Sequence, residues 1–343
     1  MAKPIKQCNL AELSEIVSAC KLPAFRKKQL LEWLYRRQVS SYSQISNLPA
    51  SFISYLSENH PLVAPTIFNK QVSKDGTRKY LITLSDGSLV ETVAIPSSSG
   101  KRRLTVCFST QVGCPMKCSF CATGHEGFTR NLGMGEIIDQ IAVVQSDFNE
   151  RVTNLVGMGQ GEPFLNIENT LDALSMLNNE KFFNIGARHI TVSTCGVIPG
   201  IARFGEDTHQ YTLAVSLHSA IQSTRDEIMP MVSSFPLADL KSALEDYLAA
   251  TNRRVTFEYL LIKGVNDSSD HLDALISYTS DLLCHVNLLN MNSIGDSPYK
   301  SCSSSTVDTW LRSLQRAGVE TSIRISRGSD IYGACGQLKN SIM

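Results

Sequence analysis

The stretch GCPMKCSFC at residues 113–121 decides the fold, because it places Cys114, Cys118 and Cys121 in a CxxxCxxC pattern. Three thiolates at this spacing can bind three irons of a 4Fe–4S cluster and leave the fourth iron open to a ligand that is not protein. The alternative is a structural zinc site with Cys107 as the fourth thiolate. Zinc ligands usually come as two CxxC-like pairs, whereas these cysteines form one compact triplet, so the pattern favours the cluster.

The composition is that of a soluble globular protein. Of the 343 residues, 43% are hydrophobic and 19% are charged, which suits one large domain, alone or with a small appendage. There is neither a signal-peptide pattern nor a run of about 18 apolar residues, so we expect a cytoplasmic location and no membrane. In that reducing compartment the ten cysteines do not predict a disulfide framework, and we expect some of them to be chemical.

Beyond residue 103, short apolar segments alternate with helical patterns. The strand candidates are 104–109, 154–158, 189–193, 211–217, 255–262 and 285–290, with a last one at 321–326. The helical patterns lie near 135–148, 167–178, 197–204, 236–250, 268–280 and 304–317. Such βα units predict parallel strands with right-handed crossovers, and therefore an α/β fold built on a partial (βα)6 barrel.

The earlier part of the chain divides in two. Residues 1–62 contain helical patterns and no strand-like alternation. Residues 63–100 contain the β-rich runs KYLITLSDG and SLVETVAIP, and the Asp-Gly pairs at 75–76 and 86–87 favour tight turns. We expect a small helical domain followed by a short β-hairpin extension.

Positive charge is concentrated near the amino terminus, although the net charge of the chain is zero. Residues 1–40 contain eight Lys or Arg against three Glu. The segment FRKKQLLEWLYRRQ has apolar residues at helical spacing, flanked by Arg26, Lys27, Lys28, Arg36 and Arg37. A basic helix of this kind suits phosphate contacts, and a solvated charged face is equally consistent with the pattern. A second basic run, at 101–103, precedes the first strand of the alternating part.

Polar and glycine-rich segments follow the strand candidates. They are GMGQGEP (157–163), STCG (193–196), SLHSA (216–220) and NMN (290–292). In barrels of parallel strands, the chemistry gathers at the carboxyl ends of the strands, where these segments fall. The glycines of the first segment let the backbone approach a ligand closely, and Glu162 can accept a hydrogen bond from an ammonium group.

These segments, together with FRKKQLLEWLY, VETVAIP, CFSTQVGCPMKCSFCATG and DIYGACGQL, resemble the RNA adenine methyltransferases of the RlmN and Cfr type. Those proteins are radical SAM enzymes, which use S-adenosylmethionine (SAM) and a cluster to methylate an unactivated carbon of adenine. The match covers nearly the whole chain, and ACGQL is its most specific part. The chain departs from the usual residues at Gln160, Cys195, Glu126 and Tyr332, none of which is a proposed ligand.

The resemblance implies a radical SAM barrel over residues 101–343, ending in a catalytic cysteine loop, with an RNA-binding accessory domain at 1–62 and the β extension at 63–100. It implies methylation of C2 of adenosine 2503 in 23S rRNA and of adenosine 37 in tRNA. One 4Fe–4S cluster per chain and two SAM molecules per turnover would serve the reaction. Flavodoxin or ferredoxin would supply electrons to a monomer.

The same comparison assigns roles to individual residues. Cys335 would carry a methyl group, Cys107 would release the product by forming a disulfide, and Glu91 would accept a proton. The residues expected to hold SAM are Gly161, Glu162, Ser193, Ser216, Leu217, His218 and Asn292.

Other interpretations remain open at this point. Cys335 could be an inert small residue in a turn, Cys107 a buried cysteine of an ordinary strand, and Glu91 part of the solvent face of its strand. His218 is expected to meet the cofactor through its backbone rather than to act as an acid or base. A Cfr-like enzyme that methylates C8 of the same rRNA adenosine would use the same cysteines, and a zinc-bound RNA-binding protein would not be an enzyme.

Overall fold

The computed structural model describes residues 3–97, 103–295 and 297–340. Residues 101 and 102 of the second basic run lie outside this part of the chain, whereas Arg103 is described and exposed.

The amino-terminal part is helical, as predicted. Its helices are α1 (Leu10–Ala19), α2 (Phe25–Leu31) and α3 (Ala50–Asn59). Helix α2 continues into a π-helical turn, Glu32–Arg36. Leu30 and Leu34 are completely buried, so the apolar face that the sequence predicted is the face that packs.

Three antiparallel strands follow: β1 (Thr66–Val72), β2 (Arg78–Thr83) and β3 (Leu89–Pro96). Gly76 and Gly87 have φ angles of +84° and +83°, a left-handed conformation that favours glycine at the two predicted turns. Strand β3 pairs antiparallel with β4, the first strand of the next part, so the β extension continues the main sheet.

The remainder alternates strands and helices. The strands are β4 (Leu104–Cys107), β5 (Gln111–Gly113), β6 (Phe128–Asn131), β7 (Asn154–Gly157), β8 (Ile190–Thr194), β9 (Thr212–Ser216), β10 (Val255–Leu261), β11 (Cys284–Asn290) and β12 (Thr321–Arg324). The helices are α4 (Ala122–Glu126), α5 (Met134–Phe148), α6 (Ile167–Asn178), α7 (Ile198–Gly205), α8 (Gln222–Ile228), α9 (Leu237–Thr251), α10 (Ser269–Thr279) and α11 (Ser304–Arg316).

The main sheet has the order β1-β2-β3-β4-β7-β8-β9-β10-β11-β12, and its neighbours are parallel from β4 to β12. Among the described strands, β12 pairs with β11 alone, so the parallel part is an open barrel. Strands β5 and β6 form a separate two-stranded sheet. The predicted α/β fold with a partial (βα)6 barrel is therefore confirmed.

The amino-terminal helices pack directly on the barrel helices. A Cβ atom on Gly133 would lie 2.4 Å from the Cα of Gln7, and the ammonium group of Lys6 forms a buried ion pair with Asp139. One continuous apolar core includes residues of both parts, such as Leu13 and Ile137. The helices within 1–62 thus pack against α5 of the barrel. Their role as an RNA-binding domain stays a prediction.

No helix in the described ranges combines the length and the apolar character that crossing a membrane requires.

Candidate active site

A cavity of about 150 Å³ lies at the carboxyl ends of the barrel strands. Its lining includes most of the residues that the sequence predicted, namely Cys114, Cys118, Cys121, Gly161, Glu162, Ser193, Ser216, His218, Asn292 and Cys335. Leu217 is buried in the main apolar core instead. Cys107 lies in an adjoining cavity, and Glu91 lines neither of the two.

The cluster loop, residues 114–121, begins directly after β5. The amide of Cys114 donates to the carbonyl of Gly127 at 2.7 Å, and the amide of Cys121 donates to the carbonyl of Cys118 at 3.1 Å. Gly113 has a φ of +76°, and a Cβ atom there would lie 2.0 Å from the Gly127 carbonyl oxygen. Glycine is thus required at the point where the chain turns into the loop.

The donor set of this loop fits a 4Fe–4S cluster. In the absence of a cation, burial raises the pKa of the Cys114 thiol above its usual range and that of Cys121 to about 11. Within the described residues, no three His, Cys, Asp or Glu side chains are grouped to hold one metal ion. In a 4Fe–4S cluster each thiolate binds a different iron, so the three sulfurs need not be grouped around one ion.

The glycine-rich segment lets the backbone run close to β4. A Cβ atom on Gly159 would lie 2.6 Å from the carbonyl oxygen of Phe108. Glu162 follows, and its two carboxylate oxygens accept from the amides of Cys195 at 2.7 Å and Phe164 at 3.0 Å. Burial raises the pKa of Glu162, so a cationic ligand such as an ammonium group would stabilise its charged form.

His218 forms a rigid wall of the cavity. It has a φ of +56°, and its Nδ1 accepts from the amide of Leu260 at 3.0 Å. Burial, reinforced by the charge of Arg225, lowers the pKa of His218 to about 3. The ring is therefore neutral at physiological pH, which agrees with the expectation that it does not act as an acid.

The Cys335 loop, residues 333–340, is held by side chains and amides from other elements. Asn292 donates through Nδ2 to the carbonyl of Cys335 at 3.1 Å. The amide of Ala122 donates to the carbonyl of Gly336 at 2.8 Å, and the hydroxyl of Thr123 donates to the carbonyl of Leu338 at 2.7 Å. The two donors that follow Cys121 thus connect the cluster loop directly to the Cys335 loop.

Cys335 also lines a second cavity of about 50 Å³, which it shares with Cys107, Met158 and Arg324. Burial is the main cause that raises the pKa of Cys107 to about 12, and the neighbouring Cys335 adds to it. The structure therefore brings together the two non-cluster cysteines that the sequence singled out.

Arg324 on β12 lines both cavities and was not predicted from the sequence. Its Nη1 lies 2.9 Å from the sulfur of Met158 and 3.6 Å from Oε2 of Glu258. The thiolate form of Cys335 is the largest cause that holds the pKa of Arg324 above its usual range. The charge of Arg324 acts against the effect of burial on the pKa of Cys107 but does not overcome it. In the sequence, the only signal was a cation in an otherwise ordinary strand pattern.

Glu91 lies beyond the carboxyl end of β4, beneath the Cys335 loop. Its carboxylate pairs with Lys79 at 3.0 Å and accepts from the amide of Lys339 at 2.8 Å. Burial raises the pKa of Glu91 to about 7. This value suits a group that takes up and releases protons near neutral pH, but the carboxylate is engaged with these partners. Its role as the proton acceptor stays a prediction.

Two of the unusual residues meet at Asn340. Gln160 donates through Nε2 to the Asn340 side chain at 3.0 Å, and Glu126 accepts from the Asn340 amide at 3.3 Å. Gln160 also accepts from the amide of Glu91 at 2.9 Å. Cys195 lies beside Cys118, which is the main cause of its raised pKa. Tyr332 is half exposed, and nothing in the structure explains its presence.

A cysteine triplet after the first parallel strand, facing polar residues at the ends of the following strands, defines a radical SAM protein. The Radical SAM superfamily matches residues 108–276. The crystal structure of a radical SAM methyltransferase from Sphaerobacter thermophilus is 39% identical, with a TM-score of 0.88, and the match covers 99% of this chain and 100% of that one.

Curated relatives narrow the class. The "Probable dual-specificity RNA methyltransferase RlmN" of Clostridium novyi is 40% identical, over 99% of this chain and 98% of that protein. The protein of the same name from Nostoc punctiforme is 43% identical, over 98% and 93%. The chain belongs to the RlmN family of radical SAM RNA methyltransferases. A cluster and SAM are the cofactors of that superfamily.

Proposed function

We propose that this chain methylates C2 of adenosine 2503 in 23S rRNA and C2 of adenosine 37 in tRNA, and does so in the cytoplasm. The observation that carries the proposal is the position of Cys335. It lines both the cavity of the cluster cysteines and the cavity of Cys107. A group carried on its sulfur can therefore be reached from the cofactor on one side and from a second thiol on the other.

The chemistry explains why a radical site is needed. C2 of adenine lies between two ring nitrogens and is electron-poor, so it does not attack the methyl group of SAM as an amine would. When bound, the cluster and SAM would supply a carbon radical that abstracts a hydrogen atom. Two SAM molecules per turnover would be used, one for the methyl group and one for the radical, with one cluster per chain.

The protein residues hold the reactants and exclude water. Glu162 would bind the ammonium group of SAM, and Ser193, Ser216 and Asn292 offer hydroxyl and amide groups on the same cavity wall. The sulfur of Cys335 would accept the methyl group by displacement.

Release of the product would fall to Cys107. Bond formation between the Cys335 methyl carbon and adenine would leave one unpaired electron, which would pass to the oxidised cluster as C2 loses its proton. The Cys107 thiolate would then attack the sulfur of Cys335. The new S–S bond forms as the S–C bond to the RNA breaks, and the carbon takes the proton lost from C2. An external thiol or protein reductant would then reduce the disulfide. The fact that both cysteines line one cavity supports this step.

The proposed reaction also requires an electron donor. Because the cluster needs one electron for each SAM molecule that is cleaved, a small redox protein such as flavodoxin or ferredoxin would dock near the cluster loop. We propose that the chain acts as a monomer.

Nucleoside analysis tests the proposal. 23S rRNA and tRNA from a strain that lacks the gene are digested and examined by mass spectrometry, with and without the gene restored on a plasmid. We expect 2-methyladenosine to be absent from the deletion strain and to return with the plasmid. Its persistence in the deletion strain, or the appearance of 8-methyladenosine with the plasmid, would overturn the proposed reaction.

A further inference from the structure

The barrel has a second opening, at the amino-terminal half of its strands. A groove of about 680 Å³ lies there, and we call it the basal groove. Its polar wall consists of Thr105, Asn154, Thr191, Thr212, Thr256 and Asn287, one residue from each strand from β4 to β11 in the parallel sheet, and apolar side chains such as Val156 and Ile323 complete the lining.

This wall is polar, which is unusual for the inside of a barrel. Closed barrels of parallel strands fill the same layer with branched apolar side chains. Here hydroxyl and amide groups face an open space that is several times larger than the upper cavity. A surface of this kind has no packing role, because it leaves the layer unfilled. The hydroxyls of its four threonines offer hydrogen bonds to a polar ligand, whereas the amides of Asn154 and Asn287 are bonded to His189 and Glu258 within the protein.

The basal groove reaches the reaction centre from below. Met158, Glu258 and Arg324 line both the groove and the upper cavity, and Arg324 also lines the small cavity of the two cysteines. A ligand in the groove therefore lies one layer of side chains away from Cys107 and Cys335.

The outer part of the groove is basic. Arg103, Arg188 and Arg327 line it, and Arg254 lines the adjoining hollow that shares Arg188 with it. Glu258 is the carboxylate of the described lining. We call these four residues the rim arginines.

The guanidinium groups of the rim are available to a ligand. Arg103 is exposed and has no ion pair among the described residues. Arg188 donates to the neutral side chain of Gln210 at 2.9 Å. Arg254 pairs with the exposed Glu320, and Arg327 lies 3.7 Å from Asp75. Such pairs near the surface are worth little, so a polyanion can displace them.

We propose that a single-stranded segment of RNA reaches the cysteines through the basal groove. The rim arginines would contact its phosphates, and the polar wall would contact its sugars and bases. The inference rests on the proposed function and adds where the substrate binds. An enzyme that modifies the edge of a base must take that base out of its stack and into an enclosed site. A polar lumen with a basic rim is suited to that task, because RNA contacts combine phosphate charges with hydrogen bonds to 2′-hydroxyls and base edges.

Helix α2, together with its π-helical turn and Arg37, is the other basic surface that RNA could contact. Of its five cations, Arg26 donates to Gln29 and Lys27 donates to Ser14. Lys28, Arg36 and Arg37 are exposed, and Arg36 and Arg37 each lie 3.6 Å from the carboxylate of Glu32, in surface pairs as weak as those of the rim arginines. The helix therefore presents three cations on the outside of the molecule, with no connection to the cavity.

Three variants of the full-length chain, each with three charges removed, compare the surfaces. The groove variant is R103Q/R188Q/R254Q, the helix variant is K28Q/R36Q/R37Q, and the control variant is R203Q/R312Q/R316Q on the outer faces of α7 and α11. Binding of a tRNA transcript to each reconstituted protein is measured over a series of salt concentrations. Thermal unfolding midpoints establish that each variant is folded.

We expect the groove variant to bind about tenfold more weakly or worse. Its plot of log affinity against log salt should be flatter by about 2, at roughly 0.7 for each lost phosphate contact. The helix and control variants should keep the slope of the parent protein. A groove variant with the control's slope, or a helix variant that loses more, would overturn the proposal.

A photo-crosslink gives a second measurement that does not depend on the variants. A tRNA transcript with 4-thiouridine beside the target adenosine should crosslink to peptides that contain residues 103–105 or 188–191, and not to residues 25–37. Crosslinks confined to 25–37 would contradict the groove. A parent protein that binds RNA through the groove without methylating it would count against the proposed function alone, and methylation that the groove variant performs with the parent's KM would count against the groove alone.

Discussion

The cluster loop and the Cys335 loop carry the reactive sulfurs of the same site, but they differ in how the sulfurs are brought there. The cluster loop places three thiols within eight residues and has an internal hydrogen bond from the amide of Cys121 to the carbonyl of Cys118, while Ser119 ties it to the distant Ile228. The Cys335 loop is held by Asn292, 43 residues away, and by Thr123, 215 residues away. A ligand set can thus be a local property of the sequence, whereas the position of a single acceptor thiol depends on the whole fold.

The largest loss of activity should come from a change in the cluster loop. Cys118→Ala removes one of three ligands, and a cluster held by two thiolates should be lost. We expect anaerobically purified parent protein to contain about four irons and four sulfides, the variant to contain neither, and SAM cleavage to be abolished. Cys284→Ala, in β11 and outside the cavity lining, is the matched control and should keep its iron. Stoichiometric zinc without labile sulfide in the parent protein would show that the cluster assignment is wrong.

Changes at the two other cysteines should spare the cluster and separate the steps of the reaction. Cys335→Ala should keep its iron and bind SAM, yet leave RNA unmethylated, because the first methyl acceptor is missing. Cys107→Ala should still form the covalent bond to adenine but should be unable to break it. Denaturing gels should therefore show RNA attached to this variant. Normal turnover by Cys107→Ala would exclude the release step described above.

A smaller effect is expected when the Cys335 loop is loosened without touching a thiol. Gln337 is buried, donates to the carbonyl of Ser293 at 2.8 Å and accepts from the amide of Ala334 at 3.1 Å. Gln337→Leu leaves both groups unpaired, which costs roughly 1–3 kcal/mol each. The cost should fall on local opening of the loop. We expect faster hydrogen exchange in residues 333–340 and a lower fraction of methylated Cys335, with an unchanged iron content. Gln315→Leu, at the surface of α11, is the control. Equal exchange in both variants would show that Gln337 does not hold the loop.

The smallest effect should be a pH dependence of stability that originates at Glu91. Burial raises the pKa of Glu91 from 4.5 to about 7, so the folded state holds this proton more tightly than the unfolded state. The resulting stabilisation is complete below pH 4.5 and is lost as the pH rises through about 7. Glu91→Gln should reduce this slope in urea midpoints measured across the window, while Glu58→Gln, on the exposed side of α3, should leave it unchanged. Equal slopes in Glu91→Gln and Glu58→Gln would show that the dependence originates at other groups.

The same contrast explains what the sequence could predict. Most strands and helices from residue 104 onward were found because each carries its own apolar period. The segments that line the upper cavity were found because they follow strand ends, and the family resemblance then assigned the individual residues. Strands β5 and β6 were missed because three or four residues carry no usable period. The short helices α4 and α8 were missed for the same reason.

Arg324 and the polar wall of the basal groove were not predicted from the sequence, for a different reason. Thr191 and Thr212 are register partners on neighbouring strands, and this relation becomes visible only when the strand order is known. In the sequence each is one hydroxyl in a β-rich segment, where threonine is common. Cys107 and Cys335 were paired by the resemblance alone, since 228 residues separate them (335 − 107). The fold supplies the neighbours that single positions cannot reveal.

We expect the distant partners of the Cys335 loop to make this loop one of the last parts of the chain to fold. Its contacts with Thr123 and Glu91 close intervals of 215 and 248 residues, and closing such long intervals costs chain entropy before any contact rewards it. The sheet and the cluster loop can form from nearer contacts, so the thiols of Cys107 and Cys335 meet late. A disulfide between these two cysteines would therefore mark a chain that has finished folding, and an unfinished chain keeps its acceptor thiol apart from the group that would oxidise it.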